Sequence, residues 1–166
     1  WFHQNNFPDD HEVLALVLTW LKSRSNQQIE ILVKFHPDSS EEQKLKVLAP
    51  LSEAHKSYIL VPDDADIYEL INHCDVAMAQ ESTTMLEAFL IGKPTICLDP
   101  TMIRKSIPYV MSGISKRVTN VNQLCDAVGK SLLADTSKMK KIKKEMGFKF
   151  NATENIYNLI EGVFFK

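Results

Sequence analysis

The sequence predicts an α/β fold in which a parallel sheet is covered by helices on both faces. Short apolar runs of strand length alternate along the chain with longer segments whose apolar residues repeat at helical spacing. Most of the strand-length runs are too continuously apolar for a sheet with one wet face, and such runs are typical of strands buried on both sides. These observations predict a Rossmann-like domain, in which ligands bind beyond the carboxyl ends of the strands.

Helical and strand-like segments follow one another through the first part of the chain. A helix is predicted at 10–22 from an apolar stripe, and four strands then alternate with three helices. The predicted strands are residues 29–35, 57–61, 75–79 and 95–98. The predicted helices between them are residues 40–51, 66–73 and 83–91.

The ends of these helices carry typical boundary residues. Ser39 or Ser40 is expected to cap the helix at 40–51, because a hydroxyl can accept a hydrogen bond from a free N–H of the first turn. Asp66 is expected to cap the next helix in the same way. Gly92 should end the helix at 83–91, and the following proline prevents its continuation.

The second half of the chain has a weaker pattern. A loop or short helix is predicted at 101–111, and a weak strand at 115–118. Helices are predicted at roughly 122–133, 137–146 and 153–164, so that residues 136–166 form C-terminal helices. The run "KMKKIKKEMGFK" fits the solvated face of a surface helix, and it also fits a patch that contacts a membrane surface.

Composition narrows the class of protein. The chain has 166 residues, 45% of them hydrophobic, and a formal net charge of −2, so it can bury a core and has no global attraction to nucleic acid. There is no signal-peptide pattern, and no apolar stretch approaches the roughly 20 residues that span a bilayer. Cys74, Cys97 and Cys125 are expected to be buried thiols in a reducing compartment. Because metal-ligand spacing is lacking, we expect no metal and no cofactor.

Polar residues follow each of the four predicted strands. Because parallel strands end at one edge of a sheet, these residues should share that edge. In chain order they are His36 and Pro37, then Asp63 and Asp64, then residues 80–84, and finally Asp99 with Arg104 and Lys105. The convergence predicts a binding site along this edge.

The stretch "QESTT" at 80–84 places hydroxyl groups where a helix is predicted to begin. A helix start offers free N–H groups and the positive end of the helix dipole, so Ser82, Thr83 and Thr84 could bind a phosphate. Hydroxyls at this position are equally ordinary as helix caps. Glu87 shares a helix face with Thr83 and Thr84, about 6 Å along the axis, and could accept from the hydroxyls of a ribose.

The apolar residues of the same helix predict which of its sides faces the core. Leu86, Phe89 and Leu90 are predicted to face the core, on the side away from the hydroxyl groups and Glu87.

The stretch "VKFHPD", followed by "DADIYELINHCDVAMAQESTTMLEAFLIGKPTICLD", resembles the C-terminal half of a GT-B glycosyltransferase. The likeness covers roughly residues 10–135. It extends to capsule and lipopolysaccharide transferases, CDP-glycerol glycerophosphotransferases and bacterial sialyltransferases with a His-Pro motif. UDP-N-acetylglucosamine 2-epimerases, which share the fold, are also similar.

The resemblance implies roles for individual residues. His36, followed by Pro37, would contact the donor phosphate or the leaving nucleotide. Ser82 and Thr83, with Thr84 beside them, would bind phosphate, and Glu87 would bind the ribose. Asp63 and Asp99 complete the predicted substrate-binding edge. The implied ligand is a nucleotide-activated sugar or alditol of the CMP, CDP or UDP type, bound without a metal ion or cofactor.

The resemblance also implies a larger enzyme of cell-surface polysaccharide synthesis. Residues 1–166 would be a single nucleotide-sugar-binding domain, and an absent N-terminal domain would hold the acceptor and the catalytic base. We therefore expect a fragment that transfers nothing by itself. The whole protein is expected in the cytoplasm, with peripheral contact at the inner face of the membrane.

Two other functions remain open from the sequence. An epimerase-like enzyme would need further acids along the edge, for which Asp99 and Glu81 are available. A non-catalytic Rossmann-like binding or interaction module would need no catalytic groups at all.

Overall fold

The structure is a computed structural model that describes residues 1–3, 9–24, 28–54, 58–104, 107–133, 137–147 and 151. Its strands are β1 (Phe2–His3), β2 (Ile31–Phe35), β3 (Tyr58–Leu60), β4 (Ala77–Ala79), β5 (Thr95–Leu98) and β6 (Ser115–Val118). Its helices are α1 (Asp10–Ser23), α2 (Glu41–Ala54), α3 (Ile67–His73), α4 (Thr83–Ile91), α5 (Pro108–Met111), α6 (Val121–Leu132) and α7 (Ser137–Glu145).

The six strands form one parallel sheet in the order β3-β2-β1-β4-β5-β6. Successive strands run outward from β1 on one side, and the chain then returns to lay β4 on the other side of β1. This strand order is that of the doubly wound dinucleotide-binding fold. The predicted Rossmann-like α/β fold is therefore confirmed.

Helices on both faces divide the hydrophobic core into two parts. On one face α1 packs against α2 and α6, and its side chains Val13, Val17 and Trp20 are buried with those of β2. On the other face α3 packs against α4, around a smaller cluster that contains Ile71 and Ala88. Burying both faces explains why every residue of β4 and β5 is buried.

Most element boundaries agree with the sequence. The predicted bounds of α4, β5 and β6 are confirmed, while β2, β3 and β4 are each shorter than predicted. Helix α2 continues beyond the predicted residue 51 to Ala54, with Pro50 inside it. The helix predicted at 153–164 lies outside the described residues.

Helix α4 is rotated relative to the predicted core face. Phe89 is buried as expected, but Leu86 and Leu90 are only half-buried, and Met85 and Ala88 take the inner positions. The prediction was wrong because it followed the largest apolar side chains, whereas the small side chain of Ala88 allows close packing beside Ile71.

Two further expectations concern the burial of the cysteine thiols and the presence of membrane-spanning segments. All three cysteines are free, with Cys97 buried and the other two half-buried. Among the residues that the structure describes, none of the helices combines the length and the apolar character needed to cross a bilayer.

Candidate functional site

The carboxyl ends of the parallel strands form one edge of the sheet. His36 follows β2, Asp63 follows β3, Ser82 follows β4 and Asp99 follows β5, so the prediction that these four residues share an edge is confirmed. Strands β2 and β3 lie on one side of β1, and β4, β5 and β6 lie on its other side, so the strand order reverses between β1 and β4. In open α/β sheets this topological switch point is where ligands bind, and the loop 80–82 lies beside it.

Helix α4 begins at this switch point with three hydroxyl residues. Ser82 is the N-cap, and its Oγ accepts a hydrogen bond from the N–H of Thr84 at 3.3 Å. Thr83 is exposed and Thr84 half-buried. Neither threonine hydroxyl is bonded to another described residue, so both remain available to a ligand together with the free N–H of Thr83.

The distribution of acids along the edge favours α4 for binding an anion. The first turns of α1, α2 and α3 all contain carboxylates, which already occupy the positive ends of those helix dipoles. The first turn of α4 contains none. Helix α6 also lacks an acid there, but it follows β6 at the outer end of the sheet. At the switch point, α4 is therefore the helix start that suits a phosphate.

Glu87 lies one helical turn beyond the start of α4. It is half-buried, and no hydrogen bond or ion pair joins its carboxylate to another described residue. Its spacing from Thr83 and Thr84 puts all three side chains along one stripe of the helix. The structure thus places an uncompensated carboxylate beside the hydroxyl groups, and its role toward a ribose stays a prediction.

His36 stands on the same edge, two strands away from β4. Its side chain is exposed, and its Nδ1 accepts a hydrogen bond from the N–H of Asp38 at 3.2 Å. The Asp38 carboxylate lies 3.5 Å from the same nitrogen, a contact that becomes an ion pair only when the ring is protonated. In the neutral ring the proton is on Nε2, and two interstrand spacings put His36 about 10 Å from the β4 loop. Pro37 is also exposed.

Asp63 is not brought close to α4. It follows the outermost strand β3, three interstrand spacings or about 14 Å from β4. Its carboxylate accepts from Lys44 Nζ at 2.8 Å, while Lys34 Nζ donates to the carbonyl oxygens of Pro62 and Asp63. The hydrogen bond from Lys44 lowers the pKa of Asp63. These contacts fasten the loop that follows β3.

Asp99 is completely buried and holds two arginines. Its Oδ1 accepts from Arg104 at 3.0 Å, and its Oδ2 accepts from Arg117 Nε at 2.7 Å and also from the terminal nitrogen of Arg117. Arg117 also donates to the carbonyl oxygen of Arg104 at 2.6 Å. Both carboxylate oxygens of Asp99 are therefore used within the protein.

Sequence reasoning missed a buried ion pair beside the switch point, between Asp9 and Arg104. The two carboxylate oxygens of Asp9 accept from the two terminal nitrogens of Arg104 at 2.6 and 2.7 Å, a bidentate arrangement. Thr101 donates to Asp9 at 3.0 Å. Gln80 Nε2 donates to Asp10 at 2.9 Å. The start of α1 is thereby tied to the loops after β4 and β5.

Signals for this ion pair were present at the two ends of the predicted sheet edge. Two consecutive acids, Asp9 and Asp10, stand at the start of the first predicted helix, and Arg104 comes soon after the strand predicted at 95–98. The pattern of the sequence does not assign Asp9 to the edge, because the two residues of β1 are too few to carry a strand pattern.

We expect acid to destabilise the fold through Asp9. Burial tends to raise the pKa of Asp9, but hydrogen bonds and charge from Arg104, with the Thr101 hydroxyl, lower it overall below its ordinary 3.8. A carboxyl group whose pKa is lower in the folded than in the unfolded state stabilises the fold at pH values above its unfolded-state pKa. This stabilisation is lost as the pH falls through the folded-state pKa. The free energy of unfolding, measured by urea denaturation from about pH 7 to about pH 3, should therefore drop below about pH 4.

Asp9→Asn is the control for this pH dependence. The amide cannot titrate, so the variant should be less stable near neutral pH and should lose less stability on acidification. An equally steep acid loss in Asp9→Asn would assign the effect to other carboxylates.

The thiol of Cys97 and the acidic side chains add little reactive chemistry to the described part of the edge. Burial raises the pKa of Cys97 to about 12, and its Sγ donates to the carbonyl oxygen of Gln80 at 2.9 Å, so the thiol stays protonated. Within the described ranges, no group of three His, Cys, Asp or Glu side chains could hold a metal ion. Metal independence stays a prediction.

Comparison with known proteins identifies the family. No curated protein matches the chain. The family model described as "Capsule polysaccharide biosynthesis protein" matches residues 2–116, a segment that runs from β1 into β6 and contains His36, Asp63, residues 80–84, Glu87 and Asp99. Because the match covers more than half of the sequence, the chain belongs to the capsule polysaccharide biosynthesis protein family.

Proposed function

We propose that this chain is the donor-binding domain of a GT-B glycosyltransferase, or alditol-phosphate transferase, of capsule polysaccharide synthesis. The observation that carries the proposal is the start of α4, where hydroxyl groups without neighbouring first-turn acids lie at the switch point of the sheet. The capsule family supplies the biological context. The ligand would be a nucleotide-activated sugar or alditol of the CMP, CDP or UDP type.

The proposed ligand lies across the middle of the carboxyl edge. Its diphosphate accepts hydrogen bonds from the N–H of Thr83 and from the hydroxyls of Thr83 and Thr84, and the dipole of α4 stabilises the negative charge. The ribose hydroxyls donate to Glu87. His36 approaches the phosphates from the β2 side, where its Nε2–H could stabilise the leaving nucleotide. These roles need no bound metal ion.

The proposal assigns the remaining parts of the reaction to a second domain. That domain would bind the acceptor and supply the catalytic base, so the chain studied alone would transfer no sugar. The complete enzyme would work in the cytoplasm, where nucleotide-activated sugars are made and where the membrane offers its inner face.

Asp99 distinguishes this proposal from the epimerase-like alternative. That alternative draws on Asp99 and Glu81 as additional acids, but Asp99 is fully buried with both oxygens bonded to arginines. Glu81 alone remains, with its carboxylate 4.0 Å from Arg104 Nε. No particular contact among the described residues favours a non-catalytic binding module. Nucleotide binding without catalytic activity in the complete protein would support that alternative.

Thermal unfolding in the presence of CMP, CDP, UDP, ADP and GDP tests the proposed function. A ligand at about a hundred times its dissociation constant should stabilise the chain by about 2.7 kcal/mol, seen as a higher Tm. We expect one of the pyrimidine nucleotides to give the largest increase. No shift with any nucleotide, and no heat of binding on titration, would contradict the proposal.

Glu87→Gln shows whether a nucleotide that binds does so at α4. The substitution keeps the size of the side chain but removes the negative charge of the carboxylate, which is proposed to accept hydrogen bonds from two ribose hydroxyls. Charge-assisted hydrogen bonds of this kind contribute about 1.5–3 kcal/mol. Nucleotide affinity should fall roughly ten- to a hundredfold, with little change in the Tm of the free protein. Glu69→Gln, an exposed acid in the first turn of α3, is the matched control and should leave affinity unchanged.

A further inference from the structure

A basic helix face lies on the side of the molecule opposite the proposed nucleotide site. Lys140, Lys141 and Lys144 of α7 are exposed and fall within about 100° of the helix circumference. No described residue forms an ion pair with Lys140 or Lys144, and Lys141 is paired only loosely, 3.8 Å from Glu145. The net charge of −2 therefore conceals a local concentration of positive charge.

The opposite side of α7 holds it against the body of the protein. Lys143 Nζ donates to the carbonyl oxygen of Leu90 at 2.8 Å and lies 5.5 Å from the centre of the Phe89 ring. Ile142 packs beside Gly113. Because Leu90 lies in the last turn of α4 and Gly113 shortly precedes β6, these contacts locate α7 at the amino edge of the sheet. Its exposed lysines thus point away from the protein at that edge.

Exposed apolar side chains also lie at this edge of the sheet. Helices α4 and α6 follow strands and run back from the carboxyl edge, so their last residues reach the amino edge, where α5 also ends just before β6. Leu133 is 87% exposed and Met111 is 75% exposed. The exposed apolar residues of this edge are Ile91, Met111, Leu132, Leu133 and Met146.

We propose that this amino edge, with the three lysines and the five apolar side chains, is a surface that docks on an anionic lipid bilayer. Lysines attract the negative headgroups, and apolar side chains at the same edge enter the interfacial region, which is the combination that binds peripheral proteins to membranes. A nucleic acid would complement the charge but not the apolar residues. Docking in this way directs the carboxyl edge, with α4 and His36, away from the bilayer. This inference goes beyond the proposed function and does not depend on it.

Co-sedimentation of the chain with vesicles tests the proposal. Vesicles of phosphatidylcholine containing about a quarter phosphatidylglycerol should bind the protein, and vesicles of phosphatidylcholine alone should bind it far less. Added salt should weaken the binding, because the attraction acts over about a Debye length. Each lysine near such a surface contributes roughly a fivefold increase in affinity, so Lys140→Glu combined with Lys144→Glu should weaken binding roughly twentyfold or more.

Matched controls separate this surface from a general effect of charge or hydrophobicity. Lys46→Glu changes an exposed lysine of α2 and should leave vesicle binding unchanged, in contrast to Lys144→Glu. Leu133→Ser should weaken binding roughly tenfold, whereas Leu45→Ser, at another exposed leucine on α2, should not. Absence of binding, equal loss in the α2 controls, or binding to RNA instead of vesicles would each overturn the proposal.

Discussion

Arg104→Ala is expected to lower the free energy of unfolding by about 3–5 kcal/mol, the usual cost of leaving a buried charge without its partner. Arg104 is only 8% exposed, and its removal leaves Asp9, itself 2% exposed, without a cation. Asp99 keeps Arg117, so most of the loss should arise at Asp9. Chemical denaturation of the variant and of the unmodified chain measures the difference.

Two further variants show whether the bidentate geometry accounts for this loss. Arg104→Lys keeps the charge but cannot offer two parallel N–H groups to one carboxylate, so we expect an intermediate loss. Lys46→Ala breaks an exposed pair with Glu42 and should cost far less than Arg104→Ala, because solvent screens such pairs. If Arg104→Ala lowered the free energy of unfolding no more than Lys46→Ala does, the ion pair between Asp9 and Arg104 would not be an important buried contact.

Thr83→Asp is expected to change stability and nucleotide binding in opposite directions. A carboxylate in the first turn of α4 suits the helix dipole and should raise stability by about 0.3–1 kcal/mol. The same charge would stand where the diphosphate is proposed to bind, so nucleotide affinity should fall by roughly a hundredfold. Titration calorimetry and thermal unfolding of one preparation give both quantities.

Thr83→Asn is the matched control, because it has nearly the size of aspartate without its charge. Its nucleotide affinity should fall clearly less than that of Thr83→Asp, because it loses the proposed hydroxyl contact but adds no negative charge. Unaltered nucleotide binding by Thr83→Asp would place the phosphates elsewhere along the edge. A loss of stability in Thr83→Asp would mean that binding is lost through unfolding rather than through repulsion.

Local signals explain which parts of the fold could be predicted. Helix α4 lies between a capping serine and Gly92, whose φ of 104° is a left-handed conformation that glycine adopts without strain, so both ends are marked in the sequence. Strand β1 has no such signal, because two residues cannot establish a period. It is recognised as a strand through its pairing with β2 and β4, which is a property of the folded chain.

The same distinction applies to the candidate site. The hydroxyl groups and Glu87 are close in sequence, so helix geometry alone brings them together. Asp9 and Arg104 are 95 positions apart, and their contact depends on the strand order around β1. The order could not be deduced from the pattern, and without it a neighbouring acid such as Asp63 was as plausible a site residue as Asp9.

The central place of β1 affects how the sheet holds together. Among the described residues, β2 and β3 connect to β4, β5 and β6 within the sheet through β1, whose Phe2 pairs with Ala79 of β4. The pairing of β1 with β4 is thus the seam between the two sides of the sheet, and exchange of backbone amide protons detects a transient opening of such a seam. A nucleotide held by His36 on one side and by α4 on the other would bridge the seam and hold its two sides together. Ligand occupancy and cohesion of the sheet would then be coupled.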